Sequence, residues 1–269
     1  MVNVAILGFG TVGSGVAEVL TGHESSIERK AGGLIRLKYI LDVRDFPDSP
    51  FADRFVKDFG VIESDPEVDI VVETIGGAGV ALDFTRRALE AGKSVVTSNK
   101  ELVATRGCEL TRLAREKGVC YLFEASVGGG IPIIRPLSQC LAANEILEIY
   151  GILNGTTNYI LTRMIRAGIT FGEALAEAQE RGYAERDPSA DVEGHDACRK
   201  ICILADIAFG RHISPEQVPT QGITGVTLAD VDYAESAGKK IKLLGRAIRG
   251  EDGRVCAYVA PHLVDESDP

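Results

Sequence analysis

Short apolar runs alternate with helix-like apolar spacing in the first half of the chain. The run at Val2–Leu7 is rich in β-branched residues and predicts a buried strand, and apolar positions then recur at helical spacing up to Gly22. Further strands are predicted at residues 37–41, 69–74, 94–97 and 119–123, with helices at 84–91 and 109–117. Strands that alternate with helices indicate parallel βαβ units, so we expect a doubly wound α/β sheet.

The pattern changes after about residue 124. Residues 133–141 predict a helix and residues 146–153 a strand, and residues 181–194 carry many carboxylates with no clear period. The remaining elements are predicted as helices at 156–167, 171–180 and 196–209 and as strands at 241–249 and 255–260. We therefore expect a second domain of the α+β class, at residues 131–269, after a first domain at residues 1–130.

Composition and charge exclude several classes of protein. The chain has 269 residues, of which 45% are hydrophobic and 25% charged, and its formal net charge is −10. An acidic balance argues against a nucleic-acid binder. No apolar run reaches the roughly 20 residues that span a bilayer, and the N-terminus lacks the basic region of a signal peptide, so we expect neither a membrane span nor secretion.

The six cysteines show no C-x-x-C pair. A chain of this length builds its core without disulfides, so we expect reduced thiols and a cytoplasmic location. Cys198 and Cys202 lie four residues apart, which would place both on one face of a helix. Two interpretations are open, a metal site and a pair of small apolar packing residues, and the absence of further ligands at suitable spacing favours packing.

A glycine-rich turn follows the first predicted strand and opens a helix. It consists of Gly8, Phe9, Gly10, Thr11, Val12 and Gly13. In this context the first glycine permits a tight turn, the second lets the backbone approach a pyrophosphate, and the third allows close packing of helix and strand. The helix N-terminus adds unpaired N–H groups and a partial positive charge. We therefore expect a Rossmann-type domain that binds NAD or NADP.

The choice between the two cofactors depends on the end of the second strand. Asp42 is the candidate for the ribose 2′-hydroxyl of NAD, although it lies further from Gly8 than the usual spacing, which fits an insertion at residues 23–33. Arg44 and Lys57 are candidates for the 2′-phosphate of NADP. The pattern favours NADP and is compatible with the use of both cofactors.

An acidic segment in the second half ends in a lysine. It holds five carboxylates, those of Glu185, Asp187, Asp191, Glu193 and Asp196, and Lys200 follows. One interpretation is a solvated loop that caps the next helix, with Asp196 and Lys200 as a surface ion pair. The other is that the carboxylates receive a substrate ammonium and that the lysine meets a developing alkoxide, which a dehydrogenase requires beside its hydride acceptor.

Five blocks resemble homoserine dehydrogenase along nearly the whole chain. They are GFGTVG at 8–13, VTSNKEL at 96–102, EASVGGGIPII at 124–134, GILNGTTNYIL at 151–161 and GYAERDPSADVEGHDACRKICILA at 182–205. The resemblance implies NAD(P)-dependent interconversion of L-aspartate 4-semialdehyde and L-homoserine, on the pathway to threonine and methionine. It also implies a homodimer in which the second domain is both catalytic and dimerising.

The resemblance assigns roles to individual residues. Lys200 would exchange the proton with the substrate oxygen, Asp196 would orient the substrate, and Lys100 would relay the proton where cofactor and substrate meet. Residues that would bind the amino-acid substrate are Glu185, Asp191, Tyr183, Gly155 and Thr156. Thr97 and Ser98 would join Lys100 and the glycine turn at the cofactor. The segment with Glu124, Val127, Gly129 and Ile131 would hold a monovalent cation such as Na⁺ or K⁺, largely by backbone carbonyls.

Members of the family continue into a glycine-rich segment that returns to the nucleotide domain, and this chain ends before such a segment. With no kinase or regulatory segment recognised, we expect a short, monofunctional form. Two rival functions are a semialdehyde oxidoreductase that uses a cysteine nucleophile and a catalytically silent NAD(P)-binding module.

Overall fold

A computed structural model describes residues 1–265, 267 and 268 of the chain. It divides into two compact units, Met1–Arg135 and Pro136–Pro269. The boundary therefore lies five residues beyond the one expected from the sequence. Each unit has its own sheet and its own buried core.

The first unit is built on a parallel sheet. Its elements are β1 (Val2–Leu7), α1 (Thr11–Gly22), α2 (Glu24–Ala31), β2 (Ile35–Leu41), β3 (Phe55–Val56), α3 (Phe59–Ser64), β4 (Val68–Glu73), α4 (Gly79–Glu90), β5 (Ser94–Thr97), α5 (Lys100–Lys117) and β6 (Tyr121–Leu122). The six strands follow the order β3-β2-β1-β4-β5-β6, and all neighbours are parallel. This order reverses between β1 and β4, which confirms the doubly wound, Rossmann-type fold.

Residues Val4 to Leu7 of β1 are buried, as expected for a strand covered on both faces. The predicted insertion at residues 23–33 contains helix α2, which connects α1 to β2. Helix α5 begins nine residues earlier than its apolar spacing predicted, because the Asn99 side chain accepts a hydrogen bond from the Leu102 N–H and caps the helix there.

The second unit combines helices with an antiparallel sheet. Its elements are β7 (Glu148–Gly151), α6 (Gly155–Ala167), α7 (Phe171–Glu180), α8 (Ser189–Val192), α9 (His195–Phe209), α10 (Leu228–Ser236), β8 (Lys239–Arg249) and β9 (Val255–Asp265). Within the described residues the sheet order is β7-β8-β9. This arrangement confirms the α+β class of the second half. Helix α9 supplies the centre of the core, where Cys198 and Cys202 are both buried.

One element of the second half was predicted wrongly. Residues 133–141 form only a single wide helical turn, at Pro136–Cys140. Pro132 and Pro136 lack an N–H donor, and the N–H groups of residues 133–135 bond to the Glu124 carboxylate instead of to a helix. In contrast, α10 was not predicted, although Thr227 and Asp230 form a capping box at its start. Among the described residues, no helix is long and apolar enough to cross a membrane.

Candidate cofactor and substrate sites

The glycine turn connects β1 to α1 in a form that leaves its outer side open. Gly8 has a φ of +93°. A Cβ on Gly13 would lie 1.9 Å from the carbonyl oxygen of Gly8. With any other residue at position 13, α1 and β1 could therefore not approach each other as closely. A Cβ on Gly10 would meet nothing within 4 Å. No side chain caps the N-terminus of α1. The turn therefore has N–H groups and space for a phosphate.

The end of β2 brings Asp42, Arg44 and Lys57 together beside this turn. The buried Asp42 carboxylate accepts hydrogen bonds from the Phe9 N–H at 2.7 Å and from the Arg44 guanidinium at 3.0 and 3.1 Å. These bonds with Arg44 hold the pKa of the Asp42 carboxyl well below its usual range. Lys57 pairs with Asp45 at 2.8 Å and donates to the carbonyl oxygen of Arg44.

Arg44 and Asp42 differ in how much of each side chain a ligand could reach. The Asp42 side chain is 6% exposed, and both of its oxygens accept hydrogen bonds from within the chain. The Arg44 side chain is 59% exposed and lies 5.0 Å from the ring of Phe46. The accessible polar group at this position is therefore a cation, which suits a phosphate better than a hydroxyl.

The end of β5 carries three of the residues that the resemblance assigned. The Thr97 hydroxyl is buried and donates to the Glu73 carboxylate at 2.6 Å, whereas Ser98 and Lys100 are half-buried where α5 begins. Sequence reasoning missed Glu73 and Asn99, which join this loop to the turn after β4. The available signal for Glu73 was a carboxylate directly after the apolar run at residues 70–72.

The segment after β6 is organised by Glu124. Its carboxylate accepts hydrogen bonds from the N–H groups of Ile133, Ile134 and Arg135 at 2.7 to 2.9 Å. Burial opposes ionisation, but these three donors outweigh it and lower the pKa of Glu124. The loop folds back so tightly that the Ile131 carbonyl oxygen lies 2.5 Å from where a Cβ of Gly128 would be. The Glu124 side chain thus fixes the shape of the loop between residues 124 and 135.

In the second unit, Lys200 and Asp196 form an ion pair inside α9 at 2.8 Å. Their side chains are 16% and 3% exposed, so the surface-pair interpretation is wrong. The Lys200 ammonium also donates to the Leu153 carbonyl oxygen at 2.9 Å. The ammonium is therefore held in one place by two acceptors, at the point where β7 leads into α6.

A residue that sequence reasoning missed joins two of the candidate carboxylates. The Asn154 side chain is buried and donates to Asp191 at 2.6 Å and to Asp196 at 2.9 Å. Its oxygen accepts the N–H of Thr157 and caps α6. The signal was present in the sequence, since an asparagine before a Gly-Thr-Thr run is a typical N-cap. Lys200, Asp196, Asn154 and Asp191 therefore form one connected polar cluster.

The other candidate substrate residues lie at the edge of this cluster. The Thr156 hydroxyl donates to the carbonyl oxygen of Tyr183 at 2.8 Å. The Tyr183 side chain is exposed, and its ring lies 5.0 Å from that of Tyr159. Gly155 is exposed at the start of α6, and Glu185 is exposed in the loop before α8. Gly155, Tyr183 and Glu185 are therefore accessible to solvent, whereas Thr156 is half-buried.

Comparison with known proteins identifies the family. The family model described as homoserine dehydrogenase, NAD binding domain, matches residues 8–124, and the one described as homoserine dehydrogenase matches residues 132–269. This chain belongs to the homoserine dehydrogenase family. The matched segments include the glycine turn in one unit and the whole Lys200 cluster in the other.

Individual members of the homoserine dehydrogenase family are similar over almost the whole chain. The homoserine dehydrogenase of Pseudomonas aeruginosa is 47% identical over 94% of this chain, which spans 58% of that protein. The crystal structure of the Thiobacillus denitrificans homoserine dehydrogenase matches with a TM-score of 0.91 and 43% identity, over 99% of this chain and 62% of that one.

A hyperthermophilic archaeal homoserine dehydrogenase in complex with NADPH matches with a TM-score of 0.83 and 28% identity, over 100% of this chain and 83% of that one. The relatives from Pseudomonas and Thiobacillus are thus much longer than this chain. What these relatives share with it is the pair of units described above.

Proposed function

We propose that the chain catalyses the NAD(P)-dependent interconversion of L-aspartate 4-semialdehyde and L-homoserine, a step toward threonine and methionine. The observation that carries this proposal is the connected cluster of Lys200, Asp196, Asn154 and Asp191, in which Asp196 and Asn154 are buried, in a chain that also presents an open glycine turn. Assay of the purified chain with L-homoserine and either NADP or NAD tests it, and homoserine-dependent reduction of the cofactor is the expected result.

Lys200 would exchange the proton that the reaction requires. A nicotinamide dinucleotide at the glycine turn supplies or accepts the hydride. During reduction, negative charge develops on the aldehyde oxygen, and the Lys200 ammonium donates a proton to it. During oxidation, the amine takes the hydroxyl proton. Asp196 and the Leu153 carbonyl hold the Lys200 nitrogen, so it loses little freedom when substrate binds.

The remaining roles rest on the family resemblance. We propose that Glu185 and Asp191 receive the substrate ammonium, that Gly155, Thr156 and Tyr183 line its pocket, and that Lys100 relays the proton. The two rival functions have no support, because the matched family models and the relatives named above are all homoserine dehydrogenases. In the described structure, Cys198 and Cys202 are core residues rather than candidate nucleophiles.

We propose that the chain prefers NADP and that Arg44 selects it. Replacing Arg44 by methionine should raise the Kd for NADP by about tenfold to a hundredfold, since a hydrogen bond to a charged group contributes roughly 1.5–3 kcal/mol. The Kd for NAD should stay unchanged or fall, because the variant frees the Asp42 oxygens for a ribose hydroxyl. Fluorescence titration of both cofactors measures this. Arg29→Met, at the exposed end of α2, is the control, and equal losses for both cofactors would exclude Arg44 as the selector.

We propose that the loop at residues 124–131 holds Na⁺ or K⁺ by its carbonyl groups, including those of Val127, Gly129 and Ile131. The three N–H bonds to Glu124 and the close return of the chain at Gly128 and Ile131 fit such a site. A ligand that binds only the folded state raises Tm. Replacing choline chloride by NaCl or KCl at equal ionic strength should therefore raise the Tm, and Glu124→Gln should weaken the effect. Equal Tm values in all three salts would contradict the proposal.

We propose that the chain forms a homodimer in the cytoplasm. The antiparallel sheet of the second unit and its flanks expose Leu147, Tyr150 and Leu263, each at least half accessible. The strand register places Tyr150 beside Arg246 and Leu263 beside Ile241, on opposite faces of the sheet, so these side chains do not form one patch and the dimer rests on the family resemblance. A chain of this length needs no disulfides to build its core, which is compatible with a reducing compartment. Light scattering should give twice the mass of the 28.7 kDa chain, and a monomer at all concentrations would contradict the dimer.

A further inference from the structure

A buried carboxylate with no cationic partner lies at the carboxyl end of β4. Glu73 is 0% exposed. One of its oxygens accepts hydrogen bonds from the Ile75 N–H at 2.7 Å and the Gly76 N–H at 3.3 Å, and the other accepts from the Thr97 hydroxyl at 2.6 Å. Within the described residues it forms no ion pair, so hydrogen bonds alone compensate its charge.

Asn99 makes a second link between the same two loops. Its side-chain N–H group donates to the Gly77 carbonyl oxygen at 2.7 Å, and its backbone N–H donates to the Thr97 hydroxyl oxygen at 2.9 Å. We refer to Glu73, Thr97 and Asn99 as the buried brace. The brace joins the turn after β4 to the loop after β5, and that loop leads directly into Lys100.

The energetic cost of Glu73 indicates a role beyond stability. Removing a carboxylate from water is costly unless donors replace its hydration, and a well-packed apolar side chain of similar volume is often equally stable or more so. What an apolar residue cannot do is fix the backbone of two loops through three directed hydrogen bonds. The loops fixed in this way lie at the end of the sheet where open α/β proteins bind ligands.

The strand order indicates which part of a dinucleotide these loops would meet. A doubly wound sheet consists of two mononucleotide-binding halves on either side of the switch between β1 and β4. The glycine turn, Asp42 and Arg44 belong to the half that carries β1 and β2. The buried brace belongs to the other half, with β4 and β5. The part of the dinucleotide that would lie beside the brace is therefore the nicotinamide mononucleotide.

We propose that Glu73 is a positioning residue that fixes these two loops and, through them, the nicotinamide half of the cofactor and Lys100. The inference rests on the proposed dinucleotide function. It distinguishes Glu73 from Arg44, which acts on the adenosine half. Loss of the brace should therefore weaken the binding of a whole dinucleotide and leave the binding of its adenosine fragment unchanged.

Titration of Glu73→Gln with NADP and with adenosine 2′,5′-bisphosphate, which lacks the nicotinamide mononucleotide, tests this. Glutamine keeps the size of the side chain but replaces one acceptor oxygen with a donor. We expect the Kd for NADP to rise about tenfold, as when a hydrogen bond to a charged group is lost, and the Kd for the bisphosphate to stay the same. Thr97→Val removes the Glu73–Thr97 link but leaves the Glu73 bonds to the β4 turn and the Asn99–Gly77 link in place, and it should show the same selectivity.

Asp69→Ala is the matched control. Asp69 lies on the same strand as Glu73, at the opposite end, where it accepts the Asn3 N–H at 2.8 Å, so its loss affects stability without affecting the loops. If Glu73→Gln weakens the binding of both ligands equally, or if it binds NADP as tightly as the unaltered chain does, the positioning role is wrong. If neither ligand binds the unaltered chain, the proposed cofactor function fails instead, and the two failures are therefore distinct.

Discussion

Lys200→Arg should retain the fold and lose most of its turnover. Arginine keeps the positive charge beside Asp196, but a guanidinium does not release its proton near neutral pH. Loss of a positioned acid typically costs ~10²–10⁴-fold, so kcat for homoserine oxidation should fall by about that factor, while the Kd for NADP should stay the same. Steady-state kinetics and cofactor titration measure the two quantities. A kcat close to that of the unaltered chain would refute proton exchange by Lys200 and shift attention to Lys100.

Lys200→Ala should lose activity and stability together. Because the Asp196 side chain is only 3% exposed, losing its ion pair with the Lys200 ammonium should cost about 3–5 kcal/mol of unfolding free energy. Lys239→Ala is the matched control, since Lys239 pairs with Asp265 at 2.6 Å but is 34% exposed. That variant should lose at most about 1 kcal/mol and keep a normal kcat. Equal stability losses for the two alanine variants in urea unfolding would contradict the burial argument.

Gly10→Val should nearly abolish cofactor binding without affecting the fold. A Cβ at Gly10 meets no protein atom within 4 Å, so the valine projects into open space at the position where the pyrophosphate would lie. We expect the Kd for NAD and NADP to rise by about a hundredfold or more, equivalent to roughly 3 kcal/mol, with the Tm unchanged. Titration and thermal unfolding of the same sample measure both quantities. If Gly10→Val bound NADP as tightly as the unaltered chain, the turn would not be the site that binds the pyrophosphate.

Gly13→Ala provides the contrast. Its Cβ would lie 1.9 Å from the Gly8 carbonyl oxygen, which is backbone and cannot move aside, so α1 must shift away from β1. This variant should therefore lose several degrees of Tm as well as cofactor affinity. The pair separates a glycine that serves the ligand from one that serves the packing. If Gly13→Ala left the Tm unchanged, the close approach in this turn would not limit the fold.

The fold followed from the sequence where the pattern was long and regular. The apolar run of β1 with its glycine turn, and the spacing of α9, each predicted the element that formed. The failures were local. The start of α5 depended on one capping side chain, Asn99, and the helix expected at residues 133–141 was replaced by hydrogen bonds to Glu124 from the other end of the loop. Neither contact leaves a periodic signal.

The candidate site was less accessible to sequence reasoning for a similar reason. Periodicity could not show whether the Asp196–Lys200 pair is exposed or buried, because both faces of α9 carry apolar neighbours. Asn154 and Glu73 act through partners 37, 42 and 24 residues away along the chain, and such pairings become visible only in three dimensions. The resemblance assigned residues to the cofactor and the substrate. The structure added Asn154 and Glu73, which hydrogen-bond to several of those residues or to their loops.

The activity that we propose for this chain is the NAD(P)-dependent oxidation of L-homoserine and its reverse. The most direct test follows the appearance of reduced nicotinamide by absorbance when the purified chain is mixed with L-homoserine and either NADP or NAD. We expect homoserine-dependent reduction, faster with NADP, and its loss in Lys200→Arg. Binding of NADP by the chain without any reduction on addition of L-homoserine would contradict the claim.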